Sequence, residues 1–150
     1  MKRKTLLLVA CLVGFLTTAF SQVLNRSAWM KGLSDEIPVC QLTIPATHDS
    51  GALLGGEALQ TQDIKIREQL EIGVRGFDIR LQACENGKLG VFHSVQFQDI
   101  YWETDVLPAF IEFLKKHPSE MLFVSLKKEG GDSEAYRRLA AASLNDKALE

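Results

Sequence analysis

The sequence predicts an α/β fold built on a parallel sheet. Short apolar runs typical of buried strands alternate along the chain with segments of helical periodicity, and no internal repeat or low-complexity tract interrupts them. The chain has 150 residues, of which 46% are hydrophobic and 24% charged, a composition typical of one globular domain. Disordered and collagen-like proteins are therefore excluded.

Four strands are predicted from the apolar runs. Pro45 ends the first strand, because proline cannot donate a hydrogen bond to a neighbouring strand. The Asn-Gly pair within residues 85–88 indicates a tight turn, so the second and third strands are predicted to be linked by a hairpin or an irregular connection. The four segments are Val39 to Ile44, Val74 to Leu81, Leu89 to His93 and Met121 to Leu126.

Three helices are predicted around these strands. Gly73 ends the first helix, and Pro118 ends the second, whose apolar residues recur at the i, i+3, i+4 spacing of a helix with one buried face. Asp132 or Ser133 is the predicted N-cap of the third. The three segments are Gln62 to Ile72, Thr104 to His117 and Glu134 to Leu144.

Residues 1–21 have the pattern of a signal peptide. Three basic residues precede an uncharged apolar run from Leu6 to Phe20, which is short for a membrane span, and small residues favour cleavage before Gln22. We therefore predict a secreted or periplasmic protein with residues 22–150 as its mature part. A lipoprotein signal ending at Cys11 and a retained membrane anchor are the alternatives.

The charge of the mature segment limits its partners. Cleavage reduces the 17 Lys and Arg residues to 14 against 19 Asp and Glu, which gives a formal net charge of −5. An acidic protein repels polyanions, so this balance argues against nucleic acid as a partner. Contact with an anionic membrane would depend on local apolar or aromatic side chains.

Cys40 and Cys84 are the cysteines of the mature segment. A secreted location permits a disulfide between them. In an all-parallel sheet, however, they would lie roughly 20 Å apart by strand rise, whereas a disulfide needs Cα atoms within about 7 Å. We expect no bond between them.

Polar residues follow or end each predicted strand. Because the carboxyl ends of parallel strands meet at one edge, where α/β proteins place their active sites, we expect these side chains to lie together. Side-chain alternation also places Asp78 and Arg80 on one face of the second strand. The full set is His48, Asp49, Asp78, Arg80, His93 and Lys127.

Two histidines and an arginine are sufficient for cleaving a phosphodiester. One histidine accepts a proton from the attacking hydroxyl, the other donates a proton to the leaving oxygen, and arginine stabilises the phosphoryl oxygens. A carboxylate beside a histidine holds one tautomer of the ring, and Asp49 or Asp78 is placed for that role. This chemistry requires no metal and no cofactor.

Several segments resemble the catalytic X region of bacterial phosphatidylinositol-specific phospholipase C. They are IPATHDSG at 44–51, GVR at 73–75, FDIRL at 77–81, VFH at 91–93, HPSE at 117–120 and VSLKKE at 124–129, and the similarity extends over about residues 28–130. The resemblance implies a TIM-type (β/α) barrel, a fold of roughly 250 residues. Residues 22–150 would supply its N-terminal half, about the first four strand–helix units, and we expect later strands to complete the inositol pocket.

The resemblance also implies a role for each site residue. His48 corresponds to the general base for the inositol 2-hydroxyl, His93 to the general acid for the diacylglycerol oxygen, and Arg80 to the phosphate clamp. Asp49 and Asp78 correspond to supporting carboxylates. The implied enzyme is a monomeric phosphatidylinositol diacylglycerol-lyase that acts transiently at a membrane surface and releases diacylglycerol and a cyclic inositol phosphate.

Two departures and two alternatives accompany this interpretation. Ala46 and Ser94 stand where the family commonly has glycine, which affects the loops beside the histidines. Calcium-dependent relatives place carboxylates where Arg80 and Lys127 stand, so no metal is expected, and Lys127 is assigned to substrate binding. The alternatives are a metal-dependent glycerophosphodiester phosphodiesterase and a non-catalytic phosphoinositide- or glycan-binding barrel.

Overall fold

A computed structural model describes residues 25–145, so the predicted signal peptide at 1–21 lies outside the described residues. One five-stranded sheet is formed by β1 (Ala46–Thr47), β2 (Gly76–Ala83), β3 (Leu89–His93), β4 (Gln96–Tyr101) and β5 (Phe123–Lys128). The α-helices are α1 (Gly56–Leu59), α2 (Ile66–Glu71), α3 (Leu107–Lys116) and α4 (Ser133–Leu144). Two 3₁₀ helices (Arg26–Gly32, Val39–Gln41) and a π-helical turn (Trp102–Val106) complete the description.

Strand β2 is the centre of the sheet. Strand β5 runs parallel to it along one edge, from the pair Gly76–Phe123 to the pair Leu81–Lys128. On the other edge, β1 runs parallel to the first two residues of β2, and β3 runs antiparallel to its last three. Both β1 and β3 therefore end facing the middle of β2, from opposite directions.

The first strand begins later than predicted. Residues Val39–Gln41 form a 3₁₀ helix, and pairing with β2 begins only at Ala46, after Pro45. The prediction for Val39 to Ile44 was wrong because this apolar run has no sheet face to cover, and Val39 is 50% exposed.

The sheet is not all-parallel, and the hairpin predicted from the Asn-Gly pair within residues 85–88 is confirmed. Gly87, at a φ of +76°, turns the chain directly back, so β3 pairs antiparallel with β2 instead of returning through a crossover helix. An unpredicted strand, β4, follows β3 as a second antiparallel neighbour. It was not predicted because strands were inferred from apolar runs, whereas this segment contains the polar residues Gln96, Gln98 and Asp99.

The prediction that side chains alternate along β2 is confirmed. Phe77, Ile79 and Leu81 are buried in the core that the sheet forms with α3. Asp78 and Arg80 are only half-buried, on the opposite face. The apolar face holds the strand in place, and the polar face is available for chemistry.

A close contact between β1 and β2 accommodates one departure from the family pattern. Ala46 pairs with Gly76, and a Cβ built on Gly76 would lie 2.6 Å from the Ala46 Cβ. Because Gly76 has no side chain, alanine fits at position 46 without separating the strands.

A buried ion pair lies at the amino end of β2. Arg75 and Glu120 are joined at 2.9 Å, and both side chains are 0% exposed. Arg75 also donates hydrogen bonds to the carbonyls of Leu70 and Ser27, and its guanidinium lies 4.6 Å from the centre of the Phe113 ring. This pair closes the end of the sheet opposite to the candidate site.

The two cysteines of the described residues are not bonded to each other. Cys40 is exposed, Cys84 is half-buried, and both are free thiols. Among residues 25–145, no helix is long and apolar enough to span a membrane.

Candidate active site

The segment after β1 carries two site residues on a bulge. Pairing of β1 with β2 ends at Thr47, but contact with β2 resumes at Ser50, whose amide donates to the Asp78 carbonyl at 2.9 Å. The Asp78 amide in turn donates to Ser50 Oγ at 2.9 Å. His48 and Asp49 are thus extra residues pushed out of the sheet, and Asp49 has a φ of +44°.

Both histidines approach one carboxylate. His48 Nε2 lies 3.1 Å from Asp49 Oδ2, and His93 Nε2 lies 3.4 Å from the same oxygen. Asp49 itself is only 2% exposed. The two rings meet because β1 and β3 both end against the middle of β2.

Arg80 connects the two carboxylates of the site. Its Nε lies 2.6 Å from Asp49 Oδ1, and its Nη2 lies 3.3 Å from Asp78 Oδ2. Asp78 Oδ2 also lies 3.1 Å from His48 Nδ1. Five of the six predicted residues therefore form one connected cluster.

Lys127 is the sixth predicted residue and lies apart from that cluster. It pairs in register with Arg80, so both side chains share one face of the sheet. The Lys127 side chain is exposed and forms no ion pair within residues 25–145. It borders the open face next to the cluster and remains free to meet a ligand.

Glu129 belongs to the site but was not among the predicted residues. Its Oε1 accepts a hydrogen bond from the Ser94 amide at 2.9 Å and lies 3.5 Å from Arg80 Nη1. The available signal was its place directly after β5, whose carboxyl end lies beside Arg80. Ser94 adopts a φ of +54°, a conformation in which glycine would be less strained.

The proton on His93 can be assigned from its partner. His93 Nδ1 lies 2.7 Å from the Leu59 carbonyl oxygen, which can only accept, so Nδ1 carries the hydrogen. His93 Nε2 consequently faces Asp49 and the open site. The His93 side chain is 18% exposed, whereas that of His48 is 67% exposed.

The electrostatics of the cluster centre on Asp49. Burial raises the pKa of its carboxyl, and the nearby charge of Asp78 adds to the rise, while Arg80, His93 and His48 lower the pKa without cancelling the effect of burial. For Arg80, burial acts to lower the pKa, but the charges of Asp49, Asp78 and Glu129 raise it overall, so the guanidinium stays cationic. The two buried carboxylate oxygens of Asp49 accept no hydrogen bond of regular geometry within the described residues.

We expect Asp49→Asn to stabilise the protein at neutral pH. A raised pKa in the folded state means that folding favours the protonated carboxyl, so the stability this group contributes below its unfolded pKa is lost as pH rises through the folded pKa. Asparagine mimics the protonated form and tolerates positive φ.

Urea unfolding at several pH values measures this effect. The variant should exceed the native protein in free energy of unfolding at pH 7, and the difference should vanish below the model-compound pKa of 3.8. A variant that is less stable at pH 7 would contradict the assignment of burial as the dominant influence.

Three residues of the cluster also have the arrangement of a possible metal site. Ligand atoms of His48, Asp49 and Asp78 lie within 4.8 Å of one another. Arg80 contacts the same two carboxylates, at 2.6 and 3.3 Å. Its positive charge opposes a cation there, so the residues present fit a metal poorly.

Fold and site together define an α/β barrel-type domain whose histidines, carboxylates and arginine gather at one sheet edge. The family model described as PI-PLC X 1 matches residues 38–146. The chain belongs to this family of phosphatidylinositol-specific phospholipase C X domains, and the resemblance found in the motifs is confirmed.

Curated relatives that match the chain are named 1-phosphatidylinositol phosphodiesterase. A 1-phosphatidylinositol phosphodiesterase of Listeria monocytogenes is 33% identical over 115 residues, which cover 72% of this chain and 35% of that protein. A protein of the same name from Staphylococcus aureus strain Newman is 30% identical over 110 residues, or 67% of this chain and 34% of the relative. The chain thus spans about a third of the length of these relatives.

Solved structures show the same fold. The phosphatidylinositol-specific phospholipase C of Listeria monocytogenes has a TM-score of 0.70 at 30% identity, with 81% of this chain and 45% of that one covered. The Staphylococcus aureus enzyme has a TM-score of 0.68 at 27% identity, with 78% and 43% covered. The prediction of a TIM-type barrel, represented here by its first strands and helices, is confirmed.

Proposed function

We propose that this protein cleaves phosphatidylinositol-type lipids to diacylglycerol and an inositol cyclic phosphate. The observation that carries the proposal is the convergence of His48 Nε2 and His93 Nε2 on one Asp49 oxygen, at 3.1 and 3.4 Å. Two acid–base groups beside a fixed arginine match the needs of phosphodiester cleavage. The name of the Listeria relative supplies the substrate class.

His48 is the general base in this mechanism. Its Nδ1 faces Asp78 Oδ2 at 3.1 Å, so the carboxylate accepts the Nδ1 hydrogen and leaves Nε2 to take a proton. The proton comes from the inositol 2-hydroxyl, whose oxygen attacks the neighbouring phosphorus. Because nucleophile and phosphate belong to one molecule, the entropy cost of bringing them together is already met.

His93 is the general acid. Its Nδ1 hydrogen is held by the Leu59 carbonyl, which fixes the ring and presents Nε2 to the site. Protonated Nε2 gives its hydrogen to the diacylglycerol oxygen as the phosphorus–oxygen bond breaks. Asp49 Oδ2 lies 3.4 Å from Nε2, close to the position of that hydrogen.

Arg80 stabilises the phosphoryl oxygens, and Lys127 binds the substrate from the neighbouring strand. Arg80 is oriented by Asp49 and Asp78, so it is preorganised before the phosphate arrives. Lys127 lies in register beside it with an exposed ammonium group. Two cations next to the histidines suit a substrate that carries negative charge throughout the reaction.

Membrane contact and secretion are part of the same proposal. One solved relative from Staphylococcus aureus was studied for its membrane binding. Val95 is 89% exposed on the turn after His93, and Leu54 is 39% exposed on the segment after the bulge. These apolar side chains can touch a lipid surface without requiring a basic patch, and the pattern of residues 1–21 favours export.

A chelator distinguishes this reaction from a metal-dependent one. The grouping of His48, Asp49 and Asp78 favours a metal-dependent glycerophosphodiester phosphodiesterase as the second candidate. We expect the full-length gene product to cleave phosphatidylinositol vesicles at the same rate with and without EDTA, because Arg80 supplies the positive charge. The measurement is the release of diacylglycerol and cyclic inositol phosphate.

The outcomes separate three functions. Loss of cleavage with EDTA, restored by added divalent cation, would replace the proposal by the metal-dependent candidate. Vesicle binding without turnover in either condition would favour a non-catalytic lipid binder. Glycerophosphoinositol, which has the phosphodiester but no acyl chains, serves as the matched soluble substrate.

A further inference from the structure

Gln69 is a buried amide that the proposed mechanism does not use. It lies on α2, is 1% exposed, and makes three hydrogen bonds. Its Nε2 donates to the carbonyls of Ser50 and Ile64 at 2.8 and 2.9 Å, and its Oε1 accepts from Thr47 Oγ1 at 2.8 Å. Because carbonyl oxygens only accept, the orientation of this amide is determined.

The hydrogen bonds around Gln69 connect it to both hydroxyls of the bulge. The Thr47 hydroxyl lies 2.8 Å from Gln69 Oε1 and 2.8 Å from Ser50 Oγ, and the Ser50 hydroxyl donates to the Thr47 carbonyl at 3.2 Å. Ser50 Oγ in turn accepts from the Asp78 amide. A chain of hydrogen bonds therefore runs from the backbone of β2 through both hydroxyls to the side chain of Gln69.

These hydrogen bonds join both ends of the bulge that carries His48 and Asp49. Thr47 is the last residue before His48, and Ser50 is the first after Asp49. Gln69 contacts the side chain of one and the carbonyl of the other, so it sets the separation between the ends of the bulge. A shift of about 1 Å in a catalytic group can cost about 10²-fold in rate.

We propose that Gln69 is a positioning residue that clamps Thr47 to Ser50 and thereby sets the placement of His48 and Asp49. The clamp has no contact with the substrate. It acts on the proton-transfer geometry and leaves Lys127, the substrate-binding residue on β5, in place. The kinetic part of this inference rests on the proposed function, whereas its structural part does not.

Thr47→Val tests the clamp with little change in volume. Valine keeps the shape of threonine but interrupts the chain, so we expect kcat for phosphatidylinositol to fall about tenfold or more, with KM within about twofold of the native value. Thr47→Ser restores the hydroxyl and should recover most of kcat. Gln69→Met removes all three hydrogen bonds and should lower kcat further.

A second readout does not depend on activity. In the same variants, NMR follows the imidazole resonances of His48 and the hydrogen exchange of the Ser50 amide, which donates to β2. We expect both to change in Thr47→Val and to return in Thr47→Ser. Gln98→Met is the matched control, because Gln98 is also buried but bonds to Leu54 outside the bulge. That control should leave the His48 resonances unchanged.

The two readouts test the positioning role of Gln69 and the proposed catalytic function separately. If the native protein has no turnover but the NMR changes follow the prediction, the proposed function is wrong and the clamp stands. If Thr47→Val and Gln69→Met keep the native kcat and His48 resonances, the clamp is rejected. It is also rejected if Thr47→Ser fails to recover kcat, or if Gln98→Met moves the His48 resonances equally.

Discussion

Replacing His93 by alanine should lower kcat for phosphatidylinositol by about 10³-fold, and a better leaving group should remove most of that defect. General acid catalysis matters in proportion to the basicity of the leaving oxygen. The diacylglycerol oxygen needs the proton from His93 Nε2, whereas a nitrophenolate leaves without one. An inositol nitrophenyl phosphate should therefore be cleaved by His93→Ala at within about tenfold of the native rate.

His48→Ala is the matched variant for that experiment. A base that activates the 2-hydroxyl is needed whatever group leaves, so this variant should lose about 10³-fold on both substrates. Circular dichroism checks that each variant is folded. Equal defects of the two variants on the nitrophenyl substrate would refute the assignment of acid and base, and unchanged rates of both on the lipid would reject the mechanism.

Removing one partner of the buried Arg75–Glu120 pair should destabilise the protein by about 3–5 kcal/mol. Both side chains are 0% exposed, so Glu120→Gln leaves the Arg75 guanidinium buried without its counter-charge. Glu120 also accepts a hydrogen bond from the Met30 amide at 3.1 Å, which attaches the N-terminal 3₁₀ helix to the end of the sheet. Urea unfolding followed by circular dichroism measures the loss.

An exposed ion pair provides the control. Lys116 and Glu71 are joined at 3.2 Å, but their side chains are 66% and 49% exposed. Glu71→Gln should therefore cost less than about 1 kcal/mol, because water screens the pair and solvates the remaining charge. A loss in Glu120→Gln as small as in this control would show that water reaches Arg75.

The candidate site residues could be selected from the sequence because each kind of evidence was local. His48 and Asp49 follow an apolar run and a proline, and Asp78 and Arg80 interrupt an apolar strand at alternate positions. Such patterns depend on the period of a strand and on the cost of burying charge, both of which are visible in a short window. Glu129 escaped because its position after a pair of lysines resembles a solvated strand end.

The path of the chain between the candidate site residues was predictable only in part. The Asn-Gly pair indicated a hairpin or an irregular connection, but only the structure shows that β3 is antiparallel and brings His93 to the site from the opposite direction. Likewise, Val39 to Ile44 was predicted to be a strand because it is apolar. How exposed its residues are is known only from the fold. Strand direction and burial depend on residues far apart along the chain.

The sequence by itself determined the residue types of the site, the family, and the alternation of Phe77 and Asp78 on the central strand. Only the tertiary structure decided that both histidines converge on Asp49, and that the buried Gln69 hydrogen-bonds to residues at both ends of the bulge between β1 and α1. The physical reason is that these contacts join segments whose separation in the fold is set by packing of the whole sheet. The residue types that the proposed reaction needs can be identified one position at a time, whereas the distances between them depend on the whole folded sheet.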